Sequence, residues 1–188
     1  MTPDRFIRAR ELSALSSAAA VLAVFSLALG CARVPAPLRA LPDFSLTAVT
    51  SDGVSPLDLR ALRGRVWIAD FMLTRCAGSC LGRAEDMADL QRRLPSSVGF
   101  LSFSMDPDHD SPEVLAVHAK EAKADSQRWY FVTGDRSAVE RLLRDGFQIE
   151  AAASAARFAL IDGDGRVRGC YGDDRASLDR LAADASRL

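Results

Sequence analysis

Two apolar runs stand out in the middle of the chain. "RVWIADFML" (65–73) is almost continuously hydrophobic, as in a central strand buried on both faces, and "SVGFLSFSM" (97–105) reads as the next strand. Between them Met87, Leu90 and Leu94 recur at helical spacing and predict a helix over about 78–94. Ser111 followed by Pro112 and Glu113 is an N-cap with proline at the first helical position, opening a helix to about Ala124. "RWYFVTG" is a short strand, and Asp135 to Asp145 a helix stopped by Gly146. "RFALID" and "RVRGCY" are strands joined by Asp162-Gly163-Asp164-Gly165, and a last helix covers about Arg175 to Arg187. Upstream, Asp52-Gly53 within "FSLTAVTSDGVSPLDLRALRG" (44–64) predicts a hairpin.

Strands alternating with helices imply an α/β sheet covered on both faces. A helix between successive strands favours parallel neighbours, whereas the Asp-Gly turn makes the last pair antiparallel. The expected architecture is thioredoxin-like: a central mixed sheet, helices on both faces and an N-terminal hairpin extension. No internal repeat is visible. Ligands of such open sheets bind beyond the carboxyl ends of the strands. Cys76 falls at that edge, and so does the loop "DPDHDSP" after the next strand.

The first thirty residues follow a different pattern. Arg5, Arg8 and Arg10 precede the apolar "SAAAVLAVFSLALG", the layout of an export signal. It ends at Gly30-Cys31, which resembles a lipoprotein cleavage site with Cys31 as the lipidated residue, although Ala28 stands where leucine is favoured. An uncleaved anchor is the rival: 12–32 has about the length that spans a bilayer, but Ser13, Ser16, Ser17 and Ser26 weaken it. Both versions put the remainder outside the cytoplasm, in the periplasm or on the extracytoplasmic face of a membrane. Pro-rich 31–43 reads as a tether and 44–188 as the folded domain.

Composition adds mostly exclusions. The chain is 48% hydrophobic and 26% charged with net charge −1, so it can build an ordinary core. Its basic residues are scattered arginines, Lys120 and Lys123 being the only lysines, and give no footprint for nucleic acid. With Cys31 used for the anchor, Cys76, Cys80 and Cys170 remain, in a compartment where disulfides persist.

Cys76 and Cys80 lie four positions apart, about 6 Å of rise in a regular helix, which is within disulfide reach. At a helix N-terminus, with Arg75 adjacent, the thiolate form is favoured. A thiolate is both the nucleophile of disulfide exchange and a soft ligand for Cu(I), so the pair alone leaves both chemistries open. A staple closing so small a loop stabilises little, and a zinc site lacks its second pair of ligands. Asp70 lies within the buried run, where burial would raise its pKa and suit it to relay protons for the cysteines. The alternative is an aspartate facing solvent on a partly covered strand.

"WIADFMLTRCAGSC", "SFSMDPDHDSPEVLAVHA", "RWYFVTG" and "RFALIDGDGRVRGCY" resemble, in this order, the SCO/SenC family of membrane-anchored thioredoxin-fold proteins, over about 42–188. The resemblance implies copper held by the two cysteines of a CxxxC motif, here Cys76 and Cys80, and by a later histidine. It also implies a metallochaperone role in assembling the CuA centre of cytochrome c oxidase, with an oxidase subunit or another cysteine-bearing copper protein as partner. Asp70 resembles the buried aspartate that precedes the active-site cysteines of thioredoxins. Two departures fall at the metal site: Ser154 stands where the family has its histidine, and Leu81 replaces the usual proline.

His109, in the loop at the same sheet edge, is the candidate substitute ligand. His118 falls in a helix away from that edge and is read as structural or exposed, and Cys170 as a small buried thiol. The alternative function is a thiol–disulfide reductase working without stable copper, although no proline lies near Ala156, where thioredoxin-type reductases carry a cis-proline. A redox or copper sensor is a third reading. Peroxidase chemistry fits least, because Thr74 is two positions before Cys76 where peroxiredoxins have threonine three before.

Overall fold

The runs at 66–72 and 98–104 lie side by side as parallel strands in the middle of one sheet. The computed structural model describes residues 35–75, 81–149 and 158–188. Among them the chain runs through β1 (Arg39–Ala40), β2 (Ser45–Val49), β3 (Val54–Asp58), a 3₁₀ turn (Arg60–Leu62), β4 (Val66–Met72), α1 (Leu81–Arg93), β5 (Val98–Ser104) and α2 (Pro112–Glu121). It continues through β6 (Trp129–Thr133), α3 (Arg136–Arg141), a π-helical stretch (Leu142–Phe147), β7 (Phe158–Ile161), β8 (Arg166–Tyr171) and α4 (Arg175–Ala185). The sheet order is β1-β8-β7-β4-β5-β6-β2-β3. β4, β5 and β6 are parallel, as the helix crossovers predict, and β2–β3 and β7–β8 are antiparallel, as their Asp-Gly turns predict; β1–β8, β2–β6 and β4–β7 are antiparallel as well.

Side chains alternate between the faces of a strand, and β4 separates two cores on that rule. Trp67, Ala69 and Phe71 point to one face, where they meet Leu101, Phe103, Val139, Leu142 and Phe147. Ile68 and Met72 point to the other, packing with Met87 and Leu90 of α1, Leu115 and Ala119 of α2, and Leu178 and Leu181 of α4. Asp70 shares the second face. The helices on that side start where capping chemistry dictates: Ser111 caps α2 by accepting from Val114 N–H, and Asp174 caps α4 by accepting from Ser177 N–H at 3.0 Å.

Three boundaries differ from expectation. Part of the expected tether is folded: Arg39 and Ala40 pair with Arg166 and Val167 of β8, Leu41 is buried, and Arg168 donates to Pro35 O at 2.7 Å. Two residues of strand are too short to show a periodicity, and only the waiting edge of β8 makes them one. α2 stops at Glu121 rather than Ala124, because Lys123 takes a left-handed conformation (φ 53°). The third helix widens into π turns after Arg141 and closes at Gln148, also left-handed. Cys170, expected as a buried thiol, is exposed on β8 near the sheet's edge.

Gly99 faces Trp67 across the β4–β5 ladder, and a Cβ there would fall 2.3 Å from the indole Cε3. Trp67 is held in place, its Nε1–H donating to Leu62 O at 2.8 Å in the core. Gly99→Ala is therefore expected to lower the unfolding free energy by about 1–3 kcal/mol. The urea midpoint of the full-length protein measures this, and an unchanged midpoint would mean that the ring moves aside freely.

Candidate functional site

The parallel ladder sets Asp70 beside Ser102, and Ser102 beside Phe131. Asp70 is 2% exposed, and its Oδ1 has no hydrogen-bond partner among the described residues. Burial pushes its carboxyl up to about 7 from an ordinary 3.8, and a hydrogen bond from Ser102 and the charge of Arg83 offset this only in part. Ser102 is itself held, since Trp129 Nε1–H donates to its Oγ at 2.9 Å. The structure thus settles the choice left open for Asp70. It faces a covered core, not solvent.

A small cavity of about 20 Å³ opens against this carboxyl, lined by Asp70, Thr74, Arg83, Ser102, His118 and Trp129 among others. Arg83 reaches it from the first turn of α1, with Nη1 donating to Phe71 O at 2.8 Å. His118 reaches it from α2, its ring edge-on to Phe131 at 5.9 Å between centroids. The expectation that His118 lies away from the site is therefore wrong. α2 packs across the same face of the sheet that carries Asp70, and the second turn of the helix brings His118 against Phe131 of β6.

Beyond the strand ends, the loops after β4 and β5 are tied together. Met105 N–H donates to Met72 O at 2.9 Å. Asp110, fully buried, accepts from the Thr74 hydroxyl through Oδ1 and from Ser104 Oγ through Oδ2 at 2.6 Å. Asp106 gathers Arg75 at 3.0 Å, Arg136 at 3.2 Å and His109 Nδ1 at 2.8 Å. The His109 hydrogen bond first, and then Arg75, holds the Asp106 carboxyl below its usual range. His109 is half-exposed and shares this carboxylate with Arg75, the residue that precedes Cys76. Sequence reasoning missed Asp106 and Asp110 as organisers of the loop. A polar run rich in aspartate reads as a solvated turn until its partners are known.

Cys76 and Cys80 lie outside the described residues, as do Cys31 and Ser154. The chain enters the cysteine segment from Arg75, held by Asp106, and leaves it at Leu81, the first residue of α1. Among the described residues no three His, Cys, Asp or Glu side chains gather as a metal site.

Comparison with known proteins agrees with this arrangement. The family model described as SCO1/SenC matches residues 35–188. The SCO1 protein homolog of Bacillus subtilis (strain 168) is 30% identical over 141 residues, which cover 68% of this chain and 73% of that protein. A SCO1/SenC family lipoprotein from Bacillus anthracis str. Ames superposes with TM-score 0.71 at 31% identity, over 83% of this chain and 99% of that one. BsSco, a member of the Sco family of cytochrome c oxidase assembly proteins in which a disulfide switch is identified, gives TM-score 0.70 at 29% identity, over 82% and 98% of the two chains. The thioredoxin-like α/β fold and the extent of the match leave one conclusion: the chain belongs to the SCO1/SenC family.

Proposed function

We propose that the protein is a membrane-tethered, extracytoplasmic copper metallochaperone that takes part in assembling the CuA centre of cytochrome c oxidase, with Cu(I) as its cargo on Cys76 and Cys80. The observation that carries this reading is a SCO1/SenC chain whose two cysteines fall in sequence between Arg75, at the carboxyl edge of β4, and the start of α1 at Leu81. Two thiolates suit Cu(I), whereas Cu(II) prefers nitrogen ligands that Ser154 does not supply. The receiving partner is an oxidase subunit or another cysteine-bearing copper protein. The basic, apolar N-terminus ending at Cys31 supports tethering as a lipoprotein, as does the relative described as one.

His109 is the third ligand in this proposal. Metal-binding histidines usually pass their second ring N–H to a carboxylate, which fixes the tautomer. The Nδ1 contact with Asp106 is of that kind and leaves Nε2 for a metal. A second reading, a thiol–disulfide reductase acting on partner cysteines, is favoured by Asp70. A carboxyl that ionises near neutrality, on the strand that leads to the cysteines, suits the removal of a thiol proton as a disulfide exchanges.

Titration of the reduced full-length protein with Cu(I) against a competing chelator is expected to show binding that C76S/C80S abolishes. Equal affinity in the double variant would remove the copper reading. His109→Ala should weaken binding about tenfold, and no change takes His109 out of the site. For the second reading, the reduction potential of the pair is expected to lie within reach of periplasmic dithiols; a value below about −300 mV marks a fixed staple instead.

Asp70 also predicts a pH dependence of stability. Its folded pKa of about 7 exceeds the unfolded 3.8, so its contribution is fully present below about pH 4 and is lost as pH rises toward 7. The wild type should lose a few kcal/mol across that window, and Asp70→Asn should flatten the loss. Denaturant midpoints for both proteins near pH 4 and pH 8 test this, and parallel profiles would contradict it.

A further inference from the structure

We propose that Asp70 and His118 form a proton-sharing pair bridged by one water in the cavity that both side chains line, with His118 as the positioning residue that links Asp70 to solvent. Three observations carry this. Asp70 is almost wholly buried, and its Oδ1 has no partner among the described residues. A buried carboxylate oxygen left unpaired is costly enough that a partner is expected. The adjoining cavity, about 20 Å³, is large enough for one water. Its wall carries the polar groups such a water needs: Asp70, Ser102, Thr74, Arg83 and His118.

His118 is the member of this set able to carry the proton outward. It is partly exposed, while Phe131 holds its ring edge-on. The other groups do not exchange a proton near neutrality: Ser102 and Thr74 are hydroxyls and Arg83 keeps its charge. The rest of the cavity wall is apolar: Met72 and Leu73 follow Asp70 along the chain, α1 presents Ala84, and β6 presents Trp129 and Phe131. The charged residues of α2 besides His118 are Glu113, Lys120 and Glu121, all at the surface. Arg83 is therefore the charge that acts on Asp70 from a neighbouring element.

The step moves a proton and no electrons. The Asp70 O–H bond breaks as the water takes that proton. The water gives one of its own to the free imidazole nitrogen of His118, leaving a carboxylate, a water and an imidazolium. With the imidazolium proton released to solvent, a cysteine thiol as donor would reprotonate the Asp70 carboxylate and leave a thiolate. That last service rests on the function proposed above, whereas the pairing itself does not.

The test uses the full-length reduced protein, with the carboxylic C=O infrared band of Asp70 assigned by its loss in Asp70→Asn. His118→Phe is expected to raise the midpoint of Asp70 titration by about one pH unit, because it removes a group that favours the carboxylate. His118→Gln, whose amide N–H still reaches the water, should restore part of the shift and serves if the Phe variant does not fold. In parallel, the NMR ring signals of His118, one of two histidines, should show two inflections in the wild type and one in Asp70→Asn. An Asp70 midpoint that neither variant moves, or a His118 curve indifferent to Asp70→Asn, overturns the pair. Repeating the measurement in C76S/C80S should give the same shift, so a failure of the copper or thiol reading leaves this result intact.

Discussion

The register of β4 against β5 is the constraint on which the rest depends. Seven consecutive residues pair in parallel, from Val66 with Val98 to Met72 with Ser104. A slip of one position would turn every side chain of β4 to the opposite face. Trp67 would lose its seat over Gly99, and Asp70 would leave its place beside Ser102. In the observed register the same pairing sets the two loops at the carboxyl edge next to each other. Thr74 then reaches Asp110, and Arg75 reaches Asp106. The entry to the cysteine segment is thus anchored on both sides by aspartates from a single loop.

Much of this was legible because the central strands are local in their signal. An apolar run without alternation predicts burial on two faces whatever its neighbours do, and the N-cap at Ser111 predicts a helix start from adjacent residues alone. The mixed sheet followed from counting crossovers. What was not legible depends on where elements meet. β1 exists only because β8 offers an edge to two residues of a Pro-rich stretch. His118, expected in a helix away from the Cys76 edge, was not linked to Asp70, because a helix's own periodicity says which face is apolar but not which strand it covers. Asp110 is a polar loop residue by composition and a fully buried acceptor by geometry, and no pattern within "DPDHD" separates it from Asp108.

The two aspartates near the site handle the cost of burial in opposite ways. Asp110 satisfies both oxygens with hydroxyl donors, so it holds the loops together as a structural acceptor. Asp70 has one oxygen without a partner among the described residues, and its carboxyl is pushed toward neutrality by desolvation. A group in that condition destabilises the fold above its unfolded pKa. Such local violations of good packing tend to sit where function needs them, and this one lies on the strand that runs directly into the cysteine segment.

That placement bears on how the copper and thiol readings relate. Binding Cu(I) and opening a disulfide both require cysteine sulfur in its deprotonated state, so under either reading protons are released or taken up at the sulfurs. In the proposed function, Ser154 offers no imidazole, and the two sulfurs carry more of the site. The energetics of deprotonating them then weigh more in whatever the site does. A carboxyl poised near neutrality suits that need under either reading, as an acceptor for a thiol proton. Proton handling is on this account the common requirement, and the choice between cargo and electron pair falls to the partner that meets the sulfurs.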